Sequence, residues 1–297
     1  MKVKRILVPS DFSESAEQAL ANAFSIAKIH NAEITLLHIV TVYEDDPYSQ
    51  RQTFPDLKEY YHQLEERADD QCRKVLSSHV IKGIQVEYAI RRGFSPYEEI
   101  LTFASEQNID LIAMGTHSRK PFAHFFIGSV AENVVHHAPC PVLTVHISAG
   151  NTRIPSFEHI LVPTDFSTQS KNALELALSL LPENGILHLL HVVEDNIHPA
   201  YFTEDSESIL DLIPNLKERS LGMLKKMADE LIPQETTTEI NLLEGRIYQT
   251  IVQYAEEQAI DLIVMGTHGS SALGQILMGS QTNRVIRKAS CPVVTIK

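Results

Sequence analysis

The chain has 297 residues, 43% of them hydrophobic, with a formal net charge of -13. At roughly 100–200 residues per domain this is room for about two domains with ordinary cores, and nothing in the composition reads as disordered. The acidic balance excludes nucleic acid and anionic lipid as first partners, because such a surface repels phosphate.

The start, from Met1 to Pro9, is basic but its apolar stretch is too short for a secretory signal. No later run approaches the ~20 apolar residues of a membrane span, so the chain is expected to be cytoplasmic. Residues 5–8 form a short, β-branched run that predicts a strand. Ser13 then precedes a helical segment with Ala16, Leu20, Ala23, Phe24 and Ala27 on one face. Residues 33–40 predict a second strand, followed by a polar loop with Asp45, Asp46 and Pro47. A long helix carries Leu57, Tyr61, Leu64, Ala68, Cys72 and Val75 at helical spacing. Then come a strand at 85–91, a helix at 96–107, a strand at 110–114, a helix at 129–137 and a last strand at 141–145.

The same order then returns. Arg5-Ile6-Leu7-Val8-Pro9-Ser10-Asp11-Phe12-Ser13 reappears as His159-Ile160-Leu161-Val162-Pro163-Thr164-Asp165-Phe166-Ser167. Leu36-Leu37-His38-Ile39-Val40 reappears as Leu189-Leu190-His191-Val192-Val193. Met114-Gly115-Thr116-His117 reappears as Met265-Gly266-Thr267-His268. The chain is therefore a tandem repeat, with domains at 1–147 and 157–297 and a polar linker between them at 148–156. Alternating strands and helices imply a doubly wound parallel sheet. Five strands with the first in the middle give the order 3-2-1-4-5. Its switch point lies between strands 1 and 4, where ligands bind at the carboxyl ends. The distinctive polar residues fall there: Pro9-Ser10-Asp11 after strand 1 and Gly115-Thr116-His117 after strand 4.

After strand 4 the second half reads Gly266-Thr267-His268-Gly269, nine residues, then Gly279-Ser280-Gln281-Thr282. Gly266 and Gly269 are expected to adopt positive φ and let main-chain amides approach a ligand. Gly279-Ser280 opens a helix whose unpaired amides and dipole attract phosphate. An ordinary glycine turn with Ser280 as cap is the competing reading for one such pair; the full spacing in both halves favours the anion site. In the first half Ser118 stands where Gly269 stands in the second, ahead of Gly128 and Ser129, and Pro121, Phe122, His124, Phe125 and Phe126 make that loop bulky. A non-glycine residue at positive φ is disfavoured by roughly 1–2 kcal/mol, so the second half is expected to be the stronger site and the first weak or empty.

These motifs together resemble universal stress protein domains of the ATP-binding kind, twice over and across nearly the whole chain. The resemblance implies α/β domains with an adenine-nucleotide alpha-hydrolase-like fold, and ATP with Mg or Mn on its phosphates as ligand. Carried over, Asp165 lies by the adenosine with Pro163, Thr164 and Val192, while Met265, Gly266, His268, Gly269, Gly279, Ser280, Gln281 and Thr282 surround ribose and phosphates. In the weaker half the matching positions are Pro9, Asp11, Ile39, Gly115, His117, Gly128 and Ser129. The resemblance also implies that the halves pair through their last strands as an internal pseudo-dimer that doubles as a homodimer.

Other residues carry plainer expectations. Ser13 and Ser167 are better placed than Asp11 and Asp165 to cap helices, which leaves the aspartates for ligand contact. His38 and His191 end a strand and are expected to be buried and hydrogen-bonded; His136-His137 is expected to face solvent. Glu194, Asp195, His198, Glu204 and Asp205 read as a solvated acidic loop rather than a metal site. Cys72, Cys140 and Cys291 form no CxxC pair and read as reduced structural thiols. No Walker motif occurs, and residues 266–280 contain no Lys or Arg, so fast phosphoryl transfer lacks its usual charge stabilisation. Three readings follow: a nucleotide-dependent regulator of the stress response with an unknown protein partner, a slow ATP hydrolase or nucleotidyl-transfer enzyme, and a scaffold that needs no nucleotide.

Overall fold

A computed structural model describes residues 2–42, 57–78, 83–116, 127–146, 154–194, 213, 215–267 and 279–297. The chain divides into two compact units, residues 2–154 and 155–297.

In the first unit the strands are β1 (Arg5–Pro9), β2 (Glu33–Thr41), β3 (Val86–Gly93), β4 (Leu111–Gly115) and β5 (Val142–Val145). All their pairings are parallel, in the order β3-β2-β1-β4-β5. The helices are α1 (Glu14–His30), α2 (Leu57–Ser78), α3 (Pro96–Glu106) and α4 (Ser129–His137). The second unit repeats this: β6 (His159–Pro163), α5 (Thr168–Leu180), β7 (Ile186–Glu194), α6 (Leu216–Leu231), β8 (Thr237–Gly245), α7 (Ile247–Glu257), β9 (Leu262–Gly266), α8 (Ser280–Lys288) and β10 (Val293–Ile296). Its strand order is β8-β7-β6-β9-β10. The expected 3-2-1-4-5 arrangement is present in both units.

Helices cover the sheet, so the central strands read as apolar runs rather than alternating ones. Ile6, Leu7 and Val8 of β1, Ile34 and Leu37 of β2, and Leu111 and Ile112 of β4 are fully buried. Each such side chain contributes about 1.5–3 kcal/mol relative to exposure. On α2, Tyr61, Ala68 and Cys72 are buried at the expected spacing. Local signals set the helix ends. Ser13 caps α1 by accepting from the Ala16 amide, Glu14 and Glu17 lie in the first turn, and Asn31 closes the helix in the left-handed region at φ 55°.

The fourth strand of the first half begins one residue later than expected, at Leu111, and the aspartate before it serves as a bracket, as does its counterpart in the second half. Asp110 Oδ2 accepts the amides of Lys4 at 2.8 Å and Arg5 at 2.9 Å. Asp261 Oδ2 accepts the His159 amide at 2.8 Å. Each carboxylate ties the start of strand 4 to the start of strand 1, the pair that flanks the switch point.

Burial pushes the Cys291 thiol up to about 12 and the Cys72 thiol up to about 11. The thiolate is the reactive form. Alkylation of native protein near neutral pH should therefore label half-buried Cys140 first, followed by mass spectrometry, with Cys72 and Cys291 reacting only after denaturant is added. Packing supplies a second test. A Cβ on Gly115 would lie 2.7 Å from the backbone carbonyl carbon of Ser15, whereas one on Gly222, inside α6, meets nothing within 4 Å. Gly115→Ala should lower stability by about 1–3 kcal/mol through overpacking, and Gly222→Ala should raise it by about 0.5–1 kcal/mol. Urea midpoints of the two variants measure both effects.

Candidate functional site

Where strand 1 ends, the chain makes the same turn in both units. The Ser10 amide donates to the Leu37 carbonyl at 2.8 Å, and the Thr164 amide to that of Leu190 at 2.8 Å. Phe12 (φ 60°) and Phe166 (φ 65°) sit in the left-handed region, which is uncommon for bulky residues and costs about 1–3 kcal/mol. Three contacts enforce it. The Phe12 amide donates to Ser10 Oγ at 3.1 Å and the Phe166 amide to Thr164 Oγ1 at 3.0 Å. Asp11 Oδ1 accepts the Ser13 amide and Asp165 Oδ1 the Ser167 amide, each at 3.1 Å. The Phe12 ring stacks on His38 with centroids 4.6 Å apart, and the Phe166 ring packs on His191 at 4.5 Å.

His38 and His191 are held in turn by hydrogen bonds from Nδ1 to the carbonyls of Ser10 at 2.8 Å and Thr164 at 2.7 Å. They are half-buried rather than fully buried, because the strand end opens onto a cleft. His137 is exposed, with Nδ1 at 2.8 Å from the Asn133 carbonyl, while His136 is half-buried.

Each unit has such a cleft at the carboxyl ends of its central strands. In the second unit it measures about 280 Å³ and is lined by Pro163, Thr164, Asp165, Val192, Met265, Gly266, Gly279, Ser280, Gln281 and Thr282. Residues from four separate stretches of sequence thus meet at one place. In the first unit it measures about 320 Å³, and Pro9, Asp11, Ile39, Gly115, Gly128 and Ser129 line it. His117, His268 and Gly269 lie outside the described residues, as do Ser118, the bulky stretch from Pro121 to Phe126, and Asp195, His198, Glu204 and Asp205. Among the described residues no group of three or more His, Cys, Asp or Glu is placed to hold a metal ion.

The expectation of positive φ at Gly266 is corrected. Among the described residues the positive-φ glycines are Gly83 and Gly245. Gly115 and Gly266 end strands and keep extended backbone. What glycine supplies at 115 is clearance: a Cβ there would sit 2.5 Å from Ser15 Oγ at the root of α1.

The end of each cleft where an anion is expected is formed by the start of a helix, α4 in the first unit and α8 in the second. Gly128 donates its amide to the Thr116 carbonyl at 2.7 Å and Gly279 to that of Thr267 at 2.8 Å, which aims each helix start at its cleft. Neither helix has a side-chain cap, so their first-turn amides have no partner within the helix. In α8, Thr282 Oγ1 bonds the Gly266 carbonyl at 3.0 Å. Gln281 Oε1 is buried without a hydrogen-bond partner, which a buried acceptor rarely is. The halves differ here: Val130, Ala131 and Glu132 occupy the first turn of α4 where Gln281, Thr282 and Asn283 occupy that of α8.

Several lining residues escaped the sequence reading. Ile247 and Ile251 of α7, and Pro96 and Ile100 of α3, wall the clefts. The sequence places Pro96 and Ile100 only within a predicted helix, and nothing local says that the upper end of such a helix borders a cleft. The two phenylalanines at positive φ were likewise invisible, since Phe is not a residue that advertises that conformation.

Comparison with known proteins agrees with this anatomy. The universal stress protein family model matches twice, over residues 2–146 and 156–297. A universal stress protein of Mycolicibacterium smegmatis is 26% identical over 305 residues, spanning 98% of this chain and 96% of its own. One of Methanocaldococcus jannaschii is 36% identical over 143 residues, 48% of this chain and 82% of its own. The crystal structure of a universal stress protein from Archaeoglobus fulgidus shares the fold, with a TM-score of 0.75 at 24% identity over 100% of this chain and 99% of that one. With both halves matched and the sheet order repeated in each, the chain belongs to the universal stress protein family and carries its domain twice.

Proposed function

We propose that the protein is an ATP-binding regulator of the stress response whose principal nucleotide site is the cleft of the second unit. The observation that carries this reading is the convergence of Asp165, Val192 and the first turn of α8 on one cleft at the switch point. A cleft of about 280 Å³ lies near the lower bound of small-ligand sites. Pro163, Val192, Met265 and Ile251 offer an apolar bed for a purine. Asp165 offers a carboxylate to ribose hydroxyls or a base amine. The unpaired Gln281 Oε1 suits a hydroxyl donor, and the uncapped amides of α8 suit phosphate. The divalent cation belongs on the phosphates, where it neutralises charge.

The first cleft has the same apolar bed but a poorer phosphate end. Val130 and Ala131 add no donors, and Glu132 places a carboxylate in the turn where the helix dipole would attract an anion. ATP binding there is weak or absent. With no Lys or Arg from 266 to 280, the second site holds ATP and turns it over slowly. The nucleotide state then alters the protein's surface or its assembly.

Native mass spectrometry and calorimetry with Mg-ATP test this reading. One ATP per chain should bind tightly. Asp165→Ala should weaken that site about tenfold or more, the loss of a hydrogen bond to a charged group. Asp11→Ala should leave it unchanged, and Gly269→Val should empty it. Equal occupancy of both units overturns the asymmetry, and failure to retain or bind ATP overturns the nucleotide reading. Turnover well above the buffer rate that disappears in Gly269→Val makes the protein an ATP hydrolase instead.

A further inference from the structure

The second unit contains a buried polar cluster that the cleft does not use. His188, in the interior of β7, is 1% exposed. Its Nε2 lies 3.1 Å from Nδ1 of His159 on β6, and its Nδ1 lies 3.0 Å from the Tyr254 hydroxyl on α7. Asn241 Nδ2, from β8, donates to the same hydroxyl at 2.8 Å. Also on β8, the half-exposed Glu239 carboxylate is 3.4 Å from His188 Nδ1. Behind His159, Asp261 holds its backbone amide. The charged and titratable groups that act on the His188 imidazole are thus Glu239 and His159, with the Tyr254 phenol in contact.

One donor scheme satisfies the chain with both imidazoles neutral. Asn241 donates to Tyr254, Tyr254 O–H donates to His188 Nδ1, and His188 Nε2–H donates to His159 Nδ1. A proton added to either imidazole reverses it. His188 Nδ1 then becomes a donor, and the Tyr254 hydroxyl must turn its own proton away to accept from it. Burial pushes the Tyr254 phenol up to about 12, so it keeps that proton. Glu239 is the other acceptor nearby, 3.4 Å from His188 Nδ1, and a turn of the imidazole toward it weakens the bond to Tyr254.

Tyr254 is also the lower end of a working face. Ile247, Ile251 and Tyr254 follow one another at i, i+4 and i+7 on α7, and the first two wall the cleft. The first unit lacks the cluster. There Thr35 faces Glu87 across the strands as His188 faces Glu239, Phe103 stands for Tyr254, Ala89 for Asn241 and Arg5 for His159. Thr35 simply bonds Glu87 at 3.1 Å.

We propose that the His188 network positions α7, and with it the Ile247 and Ile251 wall of the second cleft, and that proton uptake by the network releases this helix. Burial lowers the proton affinity of His188 below the ordinary histidine value, His159 lowers it further, and Glu239 opposes them. The folded chain therefore binds this proton less readily than the unfolded chain. The stabilisation is complete above the ordinary histidine value of about 6.5 and is lost as pH falls below it. Loosening of α7 needs no nucleotide; only its effect on the cleft rests on nucleotide binding there.

Hydrogen exchange of the full chain, read by mass spectrometry at about pH 7.5 and 5.5 and corrected for intrinsic rates, tests the clamp with α3 as internal reference. Amides of α7 should exchange about tenfold faster at the lower pH while those of α3 keep their protection. The double variant His188→Thr/Tyr254→Phe, which copies the first unit, should lose this pH dependence. Equal protection of wild-type α7 at both pH values overturns the inference without any variant. Retained pH dependence in the double variant overturns it as well. Neither result bears on whether the second cleft binds Mg-ATP at neutral pH, which is measured separately.

Discussion

Everything functional in this molecule depends on two parallel strands lying side by side while the chain leaves them in different directions. In each unit the first and fourth strands are neighbours, and their carboxyl ends part to open a crevice. That adjacency is secured at the opposite end by one aspartate. Asp110 and Asp261 accept backbone amides from the start of strand 1, and charge-assisted bonds of this kind are among the stronger ones. At the crevice end, the absence of a side chain on Gly115 lets α1 sit against strand 4. The first strand's exit turn is stiffened further by a left-handed phenylalanine packed on a histidine. Backbone strain of this sort survives only where several contacts agree on it.

The tandem arrangement offers an internal comparison. Both units keep the bracket, the turn and the apolar bed, since those features make the sheet and its crevice. They diverge in the elements that line the crevice and in the contacts that anchor its wall. The first turn of α4 is apolar and acidic, whereas that of α8 is polar and uncharged. The third helix of the first unit is anchored by Phe103 under Arg91, with the guanidinium 4.7 Å from the ring centroid. That of the second unit is anchored by a tyrosine in a histidine network. One anchor is indifferent to protons near neutrality and the other is not. Divergence of this kind is what two copies of a fold permit, since one copy can keep a ligand while the other is free to change.

The amino-acid sequence by itself determined the repeat, the strand and helix order, the sheet topology and most of the cleft. It could do so because periodicity, helix caps and short motifs after strands are local signals, and because a doubly wound sheet leaves little choice about where strand ends meet. Ten of the second-half positions read from the motifs line one cleft for that reason. Tertiary structure alone decided what depends on long-range contact. It assigned Asp110 to a bracket rather than a strand, gave Gly115 the role of clearance, and placed Ile247 and Ile251 at the cleft wall. It also joined His159, His188, Asn241 and Tyr254, which are scattered over almost a hundred residues of sequence, into one buried network. No local pattern announces such a network, because hydrogen bonding between side chains is set by how strands register and helices pack, not by how residues are spaced along the chain.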